Sequence, residues 1–456
     1  MVEIVSEPVS PAAVPDPACP ASAREKTWFG HPRGLTILFL TEMWENFSFF
    51  GMRALLVYYM TKQLRIDQQH ASLIYGLYTA SVYFTPILGG IVSDRWLGRR
   101  RSVIIGSAVM ALGHFMMSSE ALLYPALAVI ALGNGLFLPS LPSQIKGLYR
   151  PGDPRGGLAY NVYYVGINLG SFLAPLVCGT LGEVYGWHWG FGAAGLGMLA
   201  GLAIYVCGKD LLPPEPPRGA RTAEAAGAEP SPAEGVAARM LLLAGIATAV
   251  VVFRIAYEQT GNTLALWTDE AVDRHLTPGG WAIPMTWFQS LNPLLVFLMT
   301  PFLVAAWARA ARQGREPSVM RKMAVGAWTG SLAFLLLAAV SFSARGAPVH
   351  WLWLVMFFVV LTAGELFILP VGLGLFGRLA PRRLAATTIA LWFLAAFFGN
   401  LAAGALGALW SVVDHAVFFL ILAATAGLAG LILLRFEAAA RRADSPAIAS
   451  SDMRTP

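Results

Sequence analysis

Six ionisable side chains lie inside segments apolar enough to cross a membrane. Glu42, Glu45 and Arg53 fall in "TEMWENFSFFGMRALLVYYM", Arg254 and Glu258 in "VVFRIAYEQT", and Glu365 in "GELFILPVGL". A charge at the bilayer centre costs roughly 2.5–3.5 kcal/mol on insertion scales, so such residues usually face a bundle interior or a water-filled cavity. Glu42 and Glu45 are three apart and share a helix face; Arg254 and Glu258 are four apart, share a face and can pair. Carboxyls in this setting can bind and release a proton under physiological conditions, the basic requirement of proton-coupled transport. Snorkelling to a helix end is the alternative for Arg53. It is a poor one for Glu45 and Glu365, whose side chains are too short to reach headgroups.

The elements that must position these groups are transmembrane helices. Only 13% of the 456 residues are charged, and 56% are hydrophobic. Soluble domains carry about 25% charged residues, so most of this chain must face lipid. The apolar runs are continuous and not alternating, which excludes a β-barrel. A spanning helix needs about 20 residues, and twelve segments can be drawn: 34–62, 70–94, 102–119, 121–149, 158–182, 187–207, 239–268, 281–308, 320–344, 349–377, 384–410 and 414–436. Basic residues collect in alternate loops, among them Arg99, Arg100, Arg101, Lys146, Arg150, Arg312, Arg315 and Arg383. The positive-inside bias then places both termini in the cytoplasm. The net charge of +6 follows from this topology and does not argue for nucleic acid. The first 26 residues show no signal-peptide core.

The clearest break is the Pro-, Ala- and Glu-rich stretch Gly208 to Met240, which cannot bury a core. Read as a cytoplasmic linker over 208–238, it separates six-helix bundles at 34–207 and 239–440. Cytoplasmic tails at 1–33, expected to be disordered, and 441–456 flank them. Two six-helix halves are the plan of the major facilitator superfamily, an all-α membrane fold with substrate between the halves near the midplane. The loop "GGIVSDRWLGRRR", Gly89 to Arg101, is similar to that superfamily's loop motif. Gly89 and Gly90 allow close helix approach, and Asp94 with Arg95 is the candidate latch between halves. A plain positive-inside loop is the competing reading.

Several stretches resemble the proton-dependent oligopeptide transporter family. "EMWENFSFFGMRALL" resembles its E-x-x-E-R-F signature, and "AYNVYYVGINLGSFLAPLVCG" its second signature. "IYGLYTASVYFTPILGG", "YEQTGNTLALW", "WFQSLNPLL" and "GELFILPVGL" resemble its spans 2, 7, 8 and 10. The resemblance implies proton-driven inward movement of di- and tripeptides by alternating access. It makes Glu42, Glu45, Glu258 and Glu365 the proton-coupling candidates. It makes Arg53 and Glu258 a pair between spans 1 and 7 that helps gate the cavity, and places Glu365 near the peptide amine. Asn168 and Asn292 would hold peptide backbone. Tyr75, Tyr78, Tyr83 and Trp392 would form pocket walls, with Asn46 and Arg254 as further substrate contacts.

Two departures stand out. Asn46 occupies the place of the signature arginine, and Leu138 in "GNGLFLP" the place of a span 4 lysine. Losing both cations would weaken dependence on a substrate carboxylate. Either Arg254 supplies the missing cation from span 7, or it merely neutralises Glu258. The competing cargo is a non-peptide amine or amino-acid derivative, imported or exported. A transporter-like receptor would bind the same ligands without flux. An enzyme is disfavoured, because the histidines are scattered and show no metal-ligand spacing. Cys19, Cys178 and Cys207 show no metal spacing either. No cofactor is expected beyond the proton gradient. The expected partners are a peptide-like substrate, protons and the bilayer, with a monomer as the working unit in a bacterial inner membrane.

Overall fold

The computed structural model describes residues 27–28, 30–150, 153, 155–215, 236–380 and 384–444. Most of the tail 1–33, the central linker residues 216–235 and the tail 445–456 lie outside the described residues. The long helices, in chain order, are α1 Arg33–Tyr58, α2 Gln68–Val92, α3 Arg99–Met116, α4 Leu123–Ser140, α5 Arg155–Ala174 and α6 Trp187–Gly208. They continue with α7 Val236–Tyr257, α8 Leu291–Arg312, α9 Val319–Ala344, α10 Leu352–Leu379, α11 Ala385–Gly407 and α12 His415–Arg435. Ten helical stretches among the described residues are long and apolar enough to cross a membrane. Completing the set are α1, which carries Glu42, Glu45 and Arg53, and α3, which opens on Arg99, Arg100 and Arg101. Helices are the natural solution in lipid, because each satisfies its own backbone hydrogen bonds. Helix starts in loops use side-chain caps: Asp67 accepts from His70 N, Ser318 from Arg321 N, and Asp414 from Ala416 N.

The two halves repeat one packing scheme. In the first, α1 packs on α5 and α6, α2 on α4, and α3 on α4 and α6. In the second, α7 packs on α11 and α12, α8 on α10, and α9 on α10 and α12. Six positions on, every pair recurs. The halves meet through α2 with α11 and through α5 with α8, which are again equivalent pairs. An even number of helices gives the two copies the same orientation, and transporter folds place a site at the interface between such repeats.

Glycine sets the closest approach across the seam. A Cβ on Gly76 of α2 would lie 2.4 Å from the Cα of Gly404 on α11, so neither position tolerates a side chain without separating the halves. At one end the seam is hydrogen-bonded shut. Lys62 donates to Asp269 at 2.7 Å, and the Tyr58 hydroxyl to the Ala265 carbonyl at 2.8 Å. Glu183, from the first half, accepts from the backbone of Met285 and Thr286, both at 2.9 Å. It thereby caps the helical turn that starts α8, where backbone N–H groups favour an anion.

Two local features shape the second half. The span drawn at 239–268 is present as Val236–Glu270, and it is not α-helical throughout. It breaks after Tyr257 into a tight turn, Glu258–Gly261, and resumes at Thr263–Glu270. A Cβ on Gly261 would lie 2.1 Å from the Tyr75 hydroxyl, so the turn passes α2 at a distance only glycine permits. After α12 the chain forms a short helix, Glu437–Asp444. Glu437 there accepts from Ser318 at 3.0 Å and pairs with Arg321 at 2.9 Å, tying that helix to the start of α9.

The loop between α2 and α3 is held locally. Gly89 packs against the backbone of Gly135 on α4, whereas Gly90 meets only the ring of Pro139. Arg99 donates to the Ser143 carbonyl at 3.2 Å, and Arg100 to the carbonyls of Leu212 and Pro213 at 2.9 and 2.8 Å. These arginines clamp the loop to the end of α4 and to the first linker residues, within one half. Asp94 and Arg95 sit exposed in the turn Ser93–Leu97.

Candidate functional site

A cavity of about 210 Å³ lies between the halves, lined from α1, α2, α5, α7, α8 and α10. Among its lining groups is the Glu258 carboxylate, which is 2% exposed and shared by two guanidiniums. Arg53 Nη2 donates to Oε2 at 2.6 Å, and Arg254 Nη1 donates to Oε1 at 2.6 Å. Arg53 reaches across from the first half, while Arg254 comes from the last turn of α7, just before the break that carries Glu258. Each oxygen of one carboxylate therefore holds a different arginine. Buried ion pairs survive only where such hydrogen bonds offset the loss of water.

Aromatic groups fix both arginines. Arg53 Nε donates to the Tyr75 hydroxyl at 2.6 Å, and the Arg53 guanidinium lies 5.7 Å from the rings of Phe50 and Tyr75. The Arg254 guanidinium lies 5.0 Å from the Tyr83 ring centre. On α10, Glu365 accepts from Asn292 of α8 at 2.5 Å, and the same amide reaches Thr362 at 3.1 Å. Asn168 of α5 donates to its own helix at the Tyr164 carbonyl, 2.9 Å away, leaving its amide oxygen beside the cavity.

The cavity thus gathers Arg53, Tyr83, Asn168, Arg254, Glu258, Asn292 and Glu365 from the sequence-derived set. It does not gather the others. Glu42, Glu45 and Asn46 form a separate buried cluster lower on α1, where Asn46 Nδ2 donates to Glu45 Oε2 at 2.9 Å and to the Glu42 carbonyl at 3.0 Å. No ion pair to either carboxylate is present among the described residues. Tyr75 stands behind Arg53 and not on the cavity wall, and Tyr78 is buried outside it. Trp392 is also not a cavity wall. It stacks edge-on against Phe376 at 5.1 Å and fills the space over Gly372, sealing α10 to α11. Leu138 is half-buried on α4 and outside the cavity lining.

Several lining residues were not anticipated from the sequence: Tyr164, Tyr257, Gln289, Ser171 and Phe358. Helical spacing carried a signal for two of them. Tyr164 is four residues before Asn168, and Gln289 is three before Asn292, so each shares a face with a polar residue already singled out.

A twofold-repeated helical bundle with a charged cavity between its halves defines a major-facilitator-type membrane transporter, an integral multi-pass protein. The POT family model matches residues 100–227 and 236–421, and the chain belongs to that family, whose members are transporters and not enzymes. The chain is 34% identical to the peptide transporter YePEPT of Yersinia enterocolitica, over 84% of this chain and 88% of that one. It is 30% identical to a di-/tripeptide transporter of Lactococcus lactis subsp. cremoris, over 90% of this chain and 96% of the relative. Among solved structures, the peptide transporter POT in complex with sulfate superposes with a TM-score of 0.83 at 30% identity, covering 92% of this chain and 97% of that one.

Proposed function

We propose that this protein carries di- and tripeptides, or close analogues, together with protons by alternating access between its two halves. The carrying observation is the polarity of the cavity: two arginines around Glu258 on one side, and Glu365 with Asn292 on the other. A zwitterion with separated ammonium and carboxylate matches that polarity. The family and the two peptide-transporting relatives support the same reading. Arg53 and Glu258 close the cavity on the side sealed by Lys62 and Asp269, since they join spans from opposite halves. Glu365 orients the substrate amine, and Asn168 and Asn292 hold its backbone. Proton coupling is assigned to the carboxyls Glu42, Glu45, Glu258 and Glu365.

The positive-inside bias of the basic loops supports a topology with both termini and the central linker in the cytoplasm, and the bacterial relatives support the inner membrane as its location. Labelling at Gly279, in the loop before α8, and at Gly314, in the loop after it, is expected to report opposite sides. The working unit is one chain, and the proton gradient is the driving force, with no cofactor. The decisive experiment is uptake of a labelled dipeptide into proteoliposomes under an imposed pH gradient. Accumulation above equilibrium, abolished by a protonophore, is the expected result; equilibration without accumulation would remove the coupling. A second reading, an amine-bearing cargo that needs no carboxylate, is favoured by Asn46 and Leu138, and the same assay with amidated peptides distinguishes it.

A further inference from the structure

We infer that Arg254 is the anchor for the substrate carboxylate, a specificity-determining residue supplied by span 7. The inference rests on the peptide-transport reading above.

Two guanidiniums, Arg53 and Arg254, share one carboxylate, Glu258. Glu365, the other acid on the cavity wall, is hydrogen-bonded to Asn292 and makes no ion pair with either arginine among the described residues. Neither guanidinium therefore has a carboxylate to itself, and a ligand carboxylate would add a charge-assisted hydrogen bond.

The two arginines are not equally available. A guanidinium has five N–H donors. Arg53 places Nη2 on Glu258 and Nε on the Tyr75 hydroxyl. Arg254 places Nη1 on Glu258, and its Nε is buried away from the cavity. Its other terminal nitrogen, Nη2, makes no hydrogen bond among the described residues, so Arg254 keeps donors in reserve at the cavity wall. Its orientation is also fixed. Tyr83 lies 5.0 Å from the guanidinium, and a Cβ on Gly399 of α11 would lie 2.7 Å from the Arg254 Cβ, so the stem is packed against a glycine that makes room for it.

The two places where the family resemblance would put further cations hold none. Asn46 is neutral and engaged with Glu45, and Leu138 stands outside the cavity. Arg254 has a further advantage over Arg53. It lies in the same span as Glu258, four residues before it, so their pairing does not depend on how the halves are rocked. A substrate carboxylate can then take the reserve donors of Arg254 while Glu258 keeps Arg53, and binding need not break the contact between halves.

The test is competition for uptake by proteoliposomes holding the full chain, comparing dialanine with dialanine amide. Wild type is expected to favour the free acid by about tenfold or more, the range of one charge-assisted hydrogen bond. Arg254→Gln is expected to bring the ratio close to one, and Arg254→Lys to retain part of it. Glu258 keeps Arg53 in both variants, so both should fold. If Arg254→Gln abolishes turnover, the same ratio is read from ligand-induced shifts in melting temperature of the detergent-purified protein. An unchanged free-to-amide ratio in Arg254→Gln, with both affinities falling together, would overturn the inference and leave peptide transport standing. A wild type that moves no peptide at all would overturn both.

Discussion

Two groups of buried acids within one membrane domain are treated in opposite ways. Glu258 holds two cations, one from each half. Glu42 and Glu45 have a neutral amide, Asn46, and no cation paired to them among the described residues. The residue type is the same and so is the burial; the counter-charge differs. A carboxylate between two guanidiniums is a structural hub, because losing its charge exposes both partners. A pair of carboxyls without a cation is stable only when its charge is low, so it is the better candidate to gain and lose a proton during transport.

The largest expected effect comes from breaking the hub. Glu258→Gln leaves two buried guanidiniums unpaired, and breaking such a pair costs about 3–5 kcal/mol. Arg53→Gln should cost less, because Arg254 still holds the carboxylate. Melting temperatures in detergent, with gradient-driven uptake, rank the two. Equal losses would mean that Arg254 does not share the load.

Next in size is the acid cluster. Glu45→Gln and Glu42→Gln should each cut gradient-driven uptake while exchange of substrate across equilibrated membranes persists. The same pair of assays on Glu365→Gln shows whether the cavity acid behaves like the cluster or like the hub. Unchanged uptake in all three variants would remove coupling from these sites.

A milder change converts one region toward the other. Asn46→Arg gives Glu45 a cation at the position of its present 2.9 Å amide contact. Uptake should then follow a different pH profile from wild type, with peptide affinity at fixed pH little altered. An identical profile would show that the cluster does not titrate in the working range.

The smallest effect is expected at the rim. Lys62→Ala removes a cross-half pair with Asp269, but Lys62 is 42% exposed. Exposed pairs contribute about 0–1 kcal/mol, so stability and uptake should stay near wild type. A loss comparable to Arg53→Gln would mean that closure depends on the rim as much as on the buried centre.

Much of this protein was legible along the chain. The low charge content and long apolar runs required helices in lipid, since no other open structure satisfies its backbone there. Arg254 and Glu258 could be paired on paper because four residues make one helical turn. The resemblance in spans 1 and 7 proposed Arg53 as the second partner, and the folded chain places it there at 2.6 Å. What the sequence could not decide was which way each helix faces. In lipid both the outer surface and the packed seam are apolar, so hydropathy does not mark the inner face. That is why Trp392, read as a pocket wall, proved to seal α10 to α11, and why Tyr164 went unnoticed. It is also why Glu42 and Glu45 could not be separated from the cavity by spacing alone. Their distance from Glu258 depends on where the break at Glu258–Gly261 and the Gly76–Gly404 contact bring the two halves together, and only the tertiary structure sets that.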